Sequence, residues 1–127
     1  MQEQHVFEYA VIRLVPRVER EEFLNVGVIL YCRDLAFLES KFSVDERKLL
    51  TLFPGADISE INEHLQTFCS ISKGGAQGGE IGKLNPGERF RWLTAPRSTI
   101  VQTSRVHPGV CSNAAQTMER LYEQMIS

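Results

Sequence analysis

The sequence predicts an α+β domain: a mostly antiparallel, mixed sheet of about five strands with helices packed on one face. Three observations predict it. β-Branched and aromatic residues crowd two early stretches, VFEYAVIRLV (6–15) and NVGVILYC (25–32). Helical spacing of apolar residues takes over in 57–72 and again near the C-terminus. Short turn segments separate the strand-like stretches, so neighbours can pair as hairpins.

The first stretch is closed by Pro16, and both of its faces are largely apolar, which suits a central strand covered on two sides. Residues 17–24 (RVEREEFL) form a polar connection. The second stretch, 25–32, is also apolar on both faces, with Val26, Val28 and Leu30 on one and Ile29 and Tyr31 on the other. Arg33-Asp34 turns the chain into a third strand, AFLESKF (36–42). Ser43-Val-Asp-Glu46 matches a capping box and opens a short helix that Pro54-Gly55 stops. Asp57-Ile-Ser-Glu60 opens a longer helix, with Ile58, Ile61, Leu65 and Phe68 on one stripe.

Residues 73–87 contain six glycines and read as a flexible loop. Two more strands are expected, near 88–94 (ERFRWLT) and 99–106 (TIVQTSRV), joined by a turn at Ala95-Pro96-Arg97-Ser98. Ser112 or Asn113 caps a C-terminal helix whose Ala115, Met118, Leu121 or Tyr122, and Met125 face inward. Residues 1–127 are thus read as a single domain, without repeats or an internal linker. Doubly apolar strands under helices on one face leave a second face to cover, by a loop or by another chain; a homodimer is one way to supply it.

The net charge of −2 disfavours steering of the whole molecule toward nucleic acid or an anionic membrane. Residues 86–111 are locally basic, with Arg89, Arg91, Arg97 and Arg105 against one acid, Glu88. Nucleic-acid binding there is a third-ranked expectation, because Phe90 and Trp92 alternate with the arginines instead of sharing a face with them. Cys32, Cys69 and Cys111 are far apart and odd in number. No apolar stretch approaches the roughly 20 residues of a membrane span, and the start MQEQHVFE lacks a secretory pattern. The expectation is a cytoplasmic protein with reduced thiols.

The chemical motifs are few. Gly82-Lys83 lacks the remaining positions of a P-loop, and no dinucleotide fingerprint occurs. His5, His64 and His107 stand apart, so no metal site and no cofactor are expected. Cys111 lies four residues after His107 but in no nucleophile motif. The informative residue is Arg13, which interrupts the apolar face of Phe7, Tyr9, Val11 and Val15. Either it pairs with Glu22 or Glu39, or it joins Arg91 or Arg97 in an anion pocket. Arg97-Ser98 at a turn, a guanidinium beside a hydroxyl and turn amides, suits a phosphate or carboxylate. Arg13, Arg91, Arg97, Ser98 and His107 are therefore the candidate ligand-binding residues, with no catalytic residue among them. A hairpin of the last two strands would put residue 107 roughly 26 Å from residue 97; a single pocket then needs the chain to double back before His107.

FEYAVIRLVPRVEREEFLNVGVILYC, GGEIGKLNPGERFRWLTAPRSTIVQTSRVHPGV and the helix MERLYEQ resemble the uncharacterised bacterial family known as domain of unknown function 3037. Asn25-Val26-Gly27-Val28, Phe90 to Ser98 and Val106-His107-Pro108-Gly109 carry the resemblance. Ser112-Asn113-Ala114 and Glu80 depart from it, at positions read as loops. The resemblance brings no activity. It implies an accessory role beside a HipA-like kinase, since members are encoded next to such proteins. The leading expectation is a non-enzymatic protein-binding module, with an enzyme or binding protein for an anionic ligand as its rival.

Overall fold

In the computed structural model, which describes residues 3–20 and 22–126, β1 (His5–Leu14) lies in the middle of a five-stranded sheet. β2 (Leu24–Cys32) pairs along one side of it, and β3 (Phe37–Phe42) pairs with β2. Along the other side run β4 (Val101–Thr103), opposite Ile12–Leu14, and β5 (His107–Cys111), opposite His5–Tyr9. All four pairings are antiparallel. The α+β class and the antiparallel sheet are as the sequence predicts.

The helices do not all lie on one face. α1 (Glu46–Leu52), α2 (Ile58–Lys73) and α4 (Pro86–Thr94) cover one side, where Ala10, Ile12, Leu14, Val26 and Ile29 meet Leu65, Phe68, Phe90 and Leu93. α5 (Ala114–Met125) covers the other, where Phe7, Val28, Leu30 and Cys32 meet Ala114, Met118 and Leu121. The second cover is thus supplied by the chain itself, and the doubly apolar strands give no reason to expect a second copy. Within α5 the inward stripe is Ala114, Thr117, Met118 and Leu121, one residue out of step with the expected Ala115 and Met125, which are exposed.

Between β1 and β2 the register shifts: Ile12 faces Gly27 while Arg13 faces Asn25, leaving Val26 as the extra residue of a β-bulge. The bulge moves Val26 onto the same face as Ile29, not that of Val28 and Leu30. Gly27 is required there, because a Cβ would lie 2.2 Å from the Lys41 carbonyl oxygen.

Three segments differ from the sequence reading. Residues 88–94 are not a strand but most of α4. Asn85 accepts from the Glu88 amide at 2.9 Å and Pro86 opens the helix, a start signal that outweighs the aromatic content. The segment expected as a loop at 73–87 is folded: a 3-10 turn at Ala76–Gly78, α3 (Gly79–Gly82) and the start of α4. The Gly75 amide donates to the Gly82 carbonyl at 2.8 Å and closes it. α1 is capped by Asp45, whose carboxylate accepts from Lys48, while the Ser43 hydroxyl bonds to the Tyr122 hydroxyl.

The expected hairpin of strands 88–94 and 99–106 is therefore absent. β4 and β5 are instead two halves of one edge strand, out of register by one residue across 104–106. Ser104 bridges the irregularity. Its amide donates to the Val11 carbonyl at 2.9 Å, and its hydroxyl accepts from the Val11 amide at 2.8 Å.

Candidate functional site

The five candidate residues are dispersed. Arg91, on α4, forms a two-pronged pair with Glu8 of β1, each Nη 2.8 Å from a carboxylate oxygen. The hydrogen bond to Glu8 holds the Arg91 pKa above its ordinary value. This pair sits in a large concavity of about 870 Å³, lined also by Val6, Tyr31, Arg33 and Asn85. Tyr31 stacks on the buried Phe90 ring, centroids 5.4 Å apart, which fixes α4 against β2. Asp34, on the same rim, is 3.3 Å from His5. Within this concavity Glu8 and Arg91 are thus engaged with each other, and Asp34 is engaged by His5 from outside the lining.

Arg97 and Ser98 lie beyond the C-terminus of α4, on a second groove of about 470 Å³ between residues 94–98 and 102–105. The Arg97 guanidinium stacks on Trp92 with its carbon 4.0 Å from the ring centroid. It donates through Nη2 to the Trp92 carbonyl and through Nε to the Ala95 carbonyl. These are the carbonyls left open at a helix end, where a cation is favoured. Opposite stands Arg105, exposed on the edge strand just past Ser104. Neither guanidinium has a carboxylate partner among the described residues.

Among the described residues Arg13 reaches neither the groove lining nor an acid. Glu22 pairs with Arg20, and Arg13 stacks instead over Phe23, 4.1 Å from the ring centroid, with its Nε buried and unbonded. Both expected alternatives, the ion pair and the shared pocket, give way to a cation–π contact. On the ladder Arg13 faces Gln102 of the groove, so it stands one strand in from it. His107 faces Tyr9, with ring centroids 5.3 Å apart. Tyr9 and Arg13 are four positions apart on β1, roughly 13 Å, and the chain continues along β1 instead of doubling back. His107 is therefore not part of the Arg97 groove.

Arg105, Gln102 and Thr103 were not among the candidates. The signal existed: Arg105 lies in the same basic stretch as Arg97, but the hairpin reading sent it to the wrong end. Arg89, 8% exposed on α4, is another such residue; its guanidinium occupies the space where a Gly74 side chain would begin. Among the described residues no three His, Cys, Asp or Glu side chains are grouped as metal ligands, and no helix is long and apolar enough to cross a membrane.

A sequence profile described as "Protein of unknown function (DUF3037)" matches residues 9–126, nearly the whole chain. The chain belongs to this family. No curated protein and no solved structure matches it. The resemblance carried by Asn25–Val28, Phe90–Ser98 and Val106–Gly109 is thereby established, and the matched span includes the Arg97 groove and the larger concavity except for Val6 and Glu8. Membership in the family assigns no chemistry to either.

Proposed function

We propose that the chain is a non-enzymatic binding module that docks on a partner protein through the large concavity and the adjoining edge of β5. The observation that carries this is an exposed apolar pair at a sheet edge. Val6 and Val110 face each other across β1 and β5 and are 64% and 59% exposed. A cross-strand valine pair normally faces a core, and here it faces solvent beside a mixed-charge groove. Among the described residues β5 has a strand neighbour on one side only, and the alternation of its ladder points Val110 and Pro108 backbone groups outward. Pro108 has no N–H to offer, which discourages indiscriminate strand pairing while leaving the Val110 amide for a specific partner. Glu8 and Asp34 are engaged by Arg91 and His5, an arrangement suited to recognition more than to proton transfer.

The partner to try first is a HipA-like kinase, the accessory role that family resemblance implies; a cytoplasmic location follows from that reading. The test is co-expression with such a kinase from the same host and co-purification at defined stoichiometry. A complex that forms with the wild-type chain and is lost with Val6→Asp and Val110→Asp, at unchanged Tm, supports the reading. A complex insensitive to both variants moves the interface elsewhere, and no association with the kinase sinks the assignment of partner.

A further inference from the structure

We propose that the groove between residues 94–98 and 102–105 binds a dianionic phosphate monoester, with Arg97 and Arg105 as the paired donors. The first ground is uncompensated charge. Arg97 and Arg105 line one groove and neither meets a carboxylate among the described residues. Two like charges on one concavity repel each other and await an anion.

The second ground is that Arg97 is held ready. Trp92 fixes the plane of its guanidinium from one face, and the Trp92 and Ala95 carbonyls take one N–H from Nη2 and one from Nε. A guanidinium has five N–H donors, so about three remain for a ligand. Ring and carbonyls hold the group in place without neutralising it, as a carboxylate would. A donor so immobilised loses little rotamer freedom on binding.

The third ground is the surrounding polar set. The Ser98 side chain has no hydrogen-bond partner among the described residues and lines the groove. Gln102 and Thr103 line it too, but their side chains bond back to the Thr99 and Thr94 carbonyls, which shapes the wall. A volume of about 470 Å³ exceeds a bare phosphate ion and accommodates the group that carries it. Two forks and a hydroxyl suit the three terminal oxygens of a monoester better than the two of a carboxylate or the single charge of a phosphodiester.

The same chemistry comes from a small phosphate ester or from a phosphorylated side chain of a protein, and the experiment separates them. Inorganic phosphate, phosphoserine and a phosphoserine peptide are titrated into the full chain while the guanidinium Nε–H signals of Arg97 and Arg105 are followed by NMR. Saturable shifts at both arginines are expected with all three. Arg105→Gln, an exposed change that leaves the fold intact, is expected to weaken binding about tenfold. Arg97→Lys, which keeps the charge and loses the fork, is expected to weaken it severalfold. Equal affinity for phosphoserine and the peptide identifies a small ester as the ligand class; a clear gain with the peptide identifies a phosphorylated chain. The proposal is overturned by no saturable shift with any phosphate probe, or by equal binding to wild type and Arg105→Gln. Tighter Arg105-dependent binding of a short oligonucleotide than of phosphoserine would overturn the monoester assignment. Because Val6 and Val110 play no part in this groove, failure here leaves the docking surface untouched, and the converse holds.

Discussion

Removal of one hydroxyl, in Ser104→Ala, tests how the edge strand is joined to the centre of the sheet. Ser104 is 6% exposed and sits where β4 and β5 slip by one residue. Its Oγ accepts from the Val11 amide at 2.8 Å and donates to the Arg105 carbonyl at 2.9 Å. Val11 is 8% exposed, so its N–H has no route to water when the hydroxyl goes. The Arg105 carbonyl belongs to an exposed residue and rehydrates. The cost is therefore one buried donor left unsatisfied, about 1–3 kcal/mol, with little cavity term because only an oxygen is removed. At about 2 kcal/mol, a domain of this size loses roughly 6–10 °C in Tm. Urea denaturation of wild type and variant measures the first quantity and calorimetry the second. Amide hydrogen exchange supplies the local check: Val11 should accelerate more than Ala10 and Ile12. Thr103→Ala is the control, since its hydroxyl reaches the Thr94 carbonyl only at 3.5 Å, a contact at the outer limit of a hydrogen bond. A Ser104→Ala loss below about 0.5 kcal/mol, with Val11 exchanging in step with its neighbours, would refute the bridge.

Two further outcomes are expected. Gly74 has φ +84°, and the Arg89 guanidinium lies where its Cβ would be, so Gly74→Ala should cost about 1–3 kcal/mol by denaturant melting, whereas Gly55→Ala, with open space around it, should cost far less. Burial raises the Cys111 pKa, so in the native chain an alkylating reagent should modify the half-buried Cys69 before Cys111 or Cys32. The sign follows: the folded state holds the Cys111 proton where the unfolded state releases it, so stability should fall as pH rises past the ordinary thiol range, about 8.5. A stability profile rising over that interval, or alkylation of Cys111 first, would contradict the buried assignment.

The centre of the sheet was legible because β1 and β2 concentrate β-branched and aromatic residues that few other structures accommodate. α2 was legible because Ile61, Leu65 and Phe68 repeat at helical spacing behind an Asp57 cap. α4 was not: ERFRWLT alternates charged and aromatic residues with the period of a strand, and the true signal is split, Asn85-Pro86 falling in the glycine-rich stretch 73–87 and Glu88 in the strand-like one. The position of α5 was hidden for a different reason. An amphipathic helix declares that it has an apolar face, not which side of a sheet it will meet. The arginines divide the same way. The turn at Arg97-Ser98 was visible locally, but the Glu8 partner of Arg91 is 83 residues distant and the Phe23 ring under Arg13 satisfies a charge without an acid. Pairings of that kind are decided by tertiary packing, which no local pattern encodes.

The placement of β1 has a consequence for the order of assembly. The first strand of the sheet in chain order is the central one, yet its partners along one side, 101–103 and 107–111, come only after β2, β3 and the first four helices. The helix that covers Val28 and Leu30 follows them at 114–125. Emerging chain can form the β1–β2–β3 meander early, but one face and one edge of that meander stay bare until β4, β5 and α5 have been made. Closing such long loops is slow relative to local structure, and bare strand edges invite wrong pairing in the interval. The sheet is accordingly closed only by elements far along the chain from β1, and truncations that remove β5 or α5 should be judged by the exposed sheet they leave behind, not by the few residues they remove.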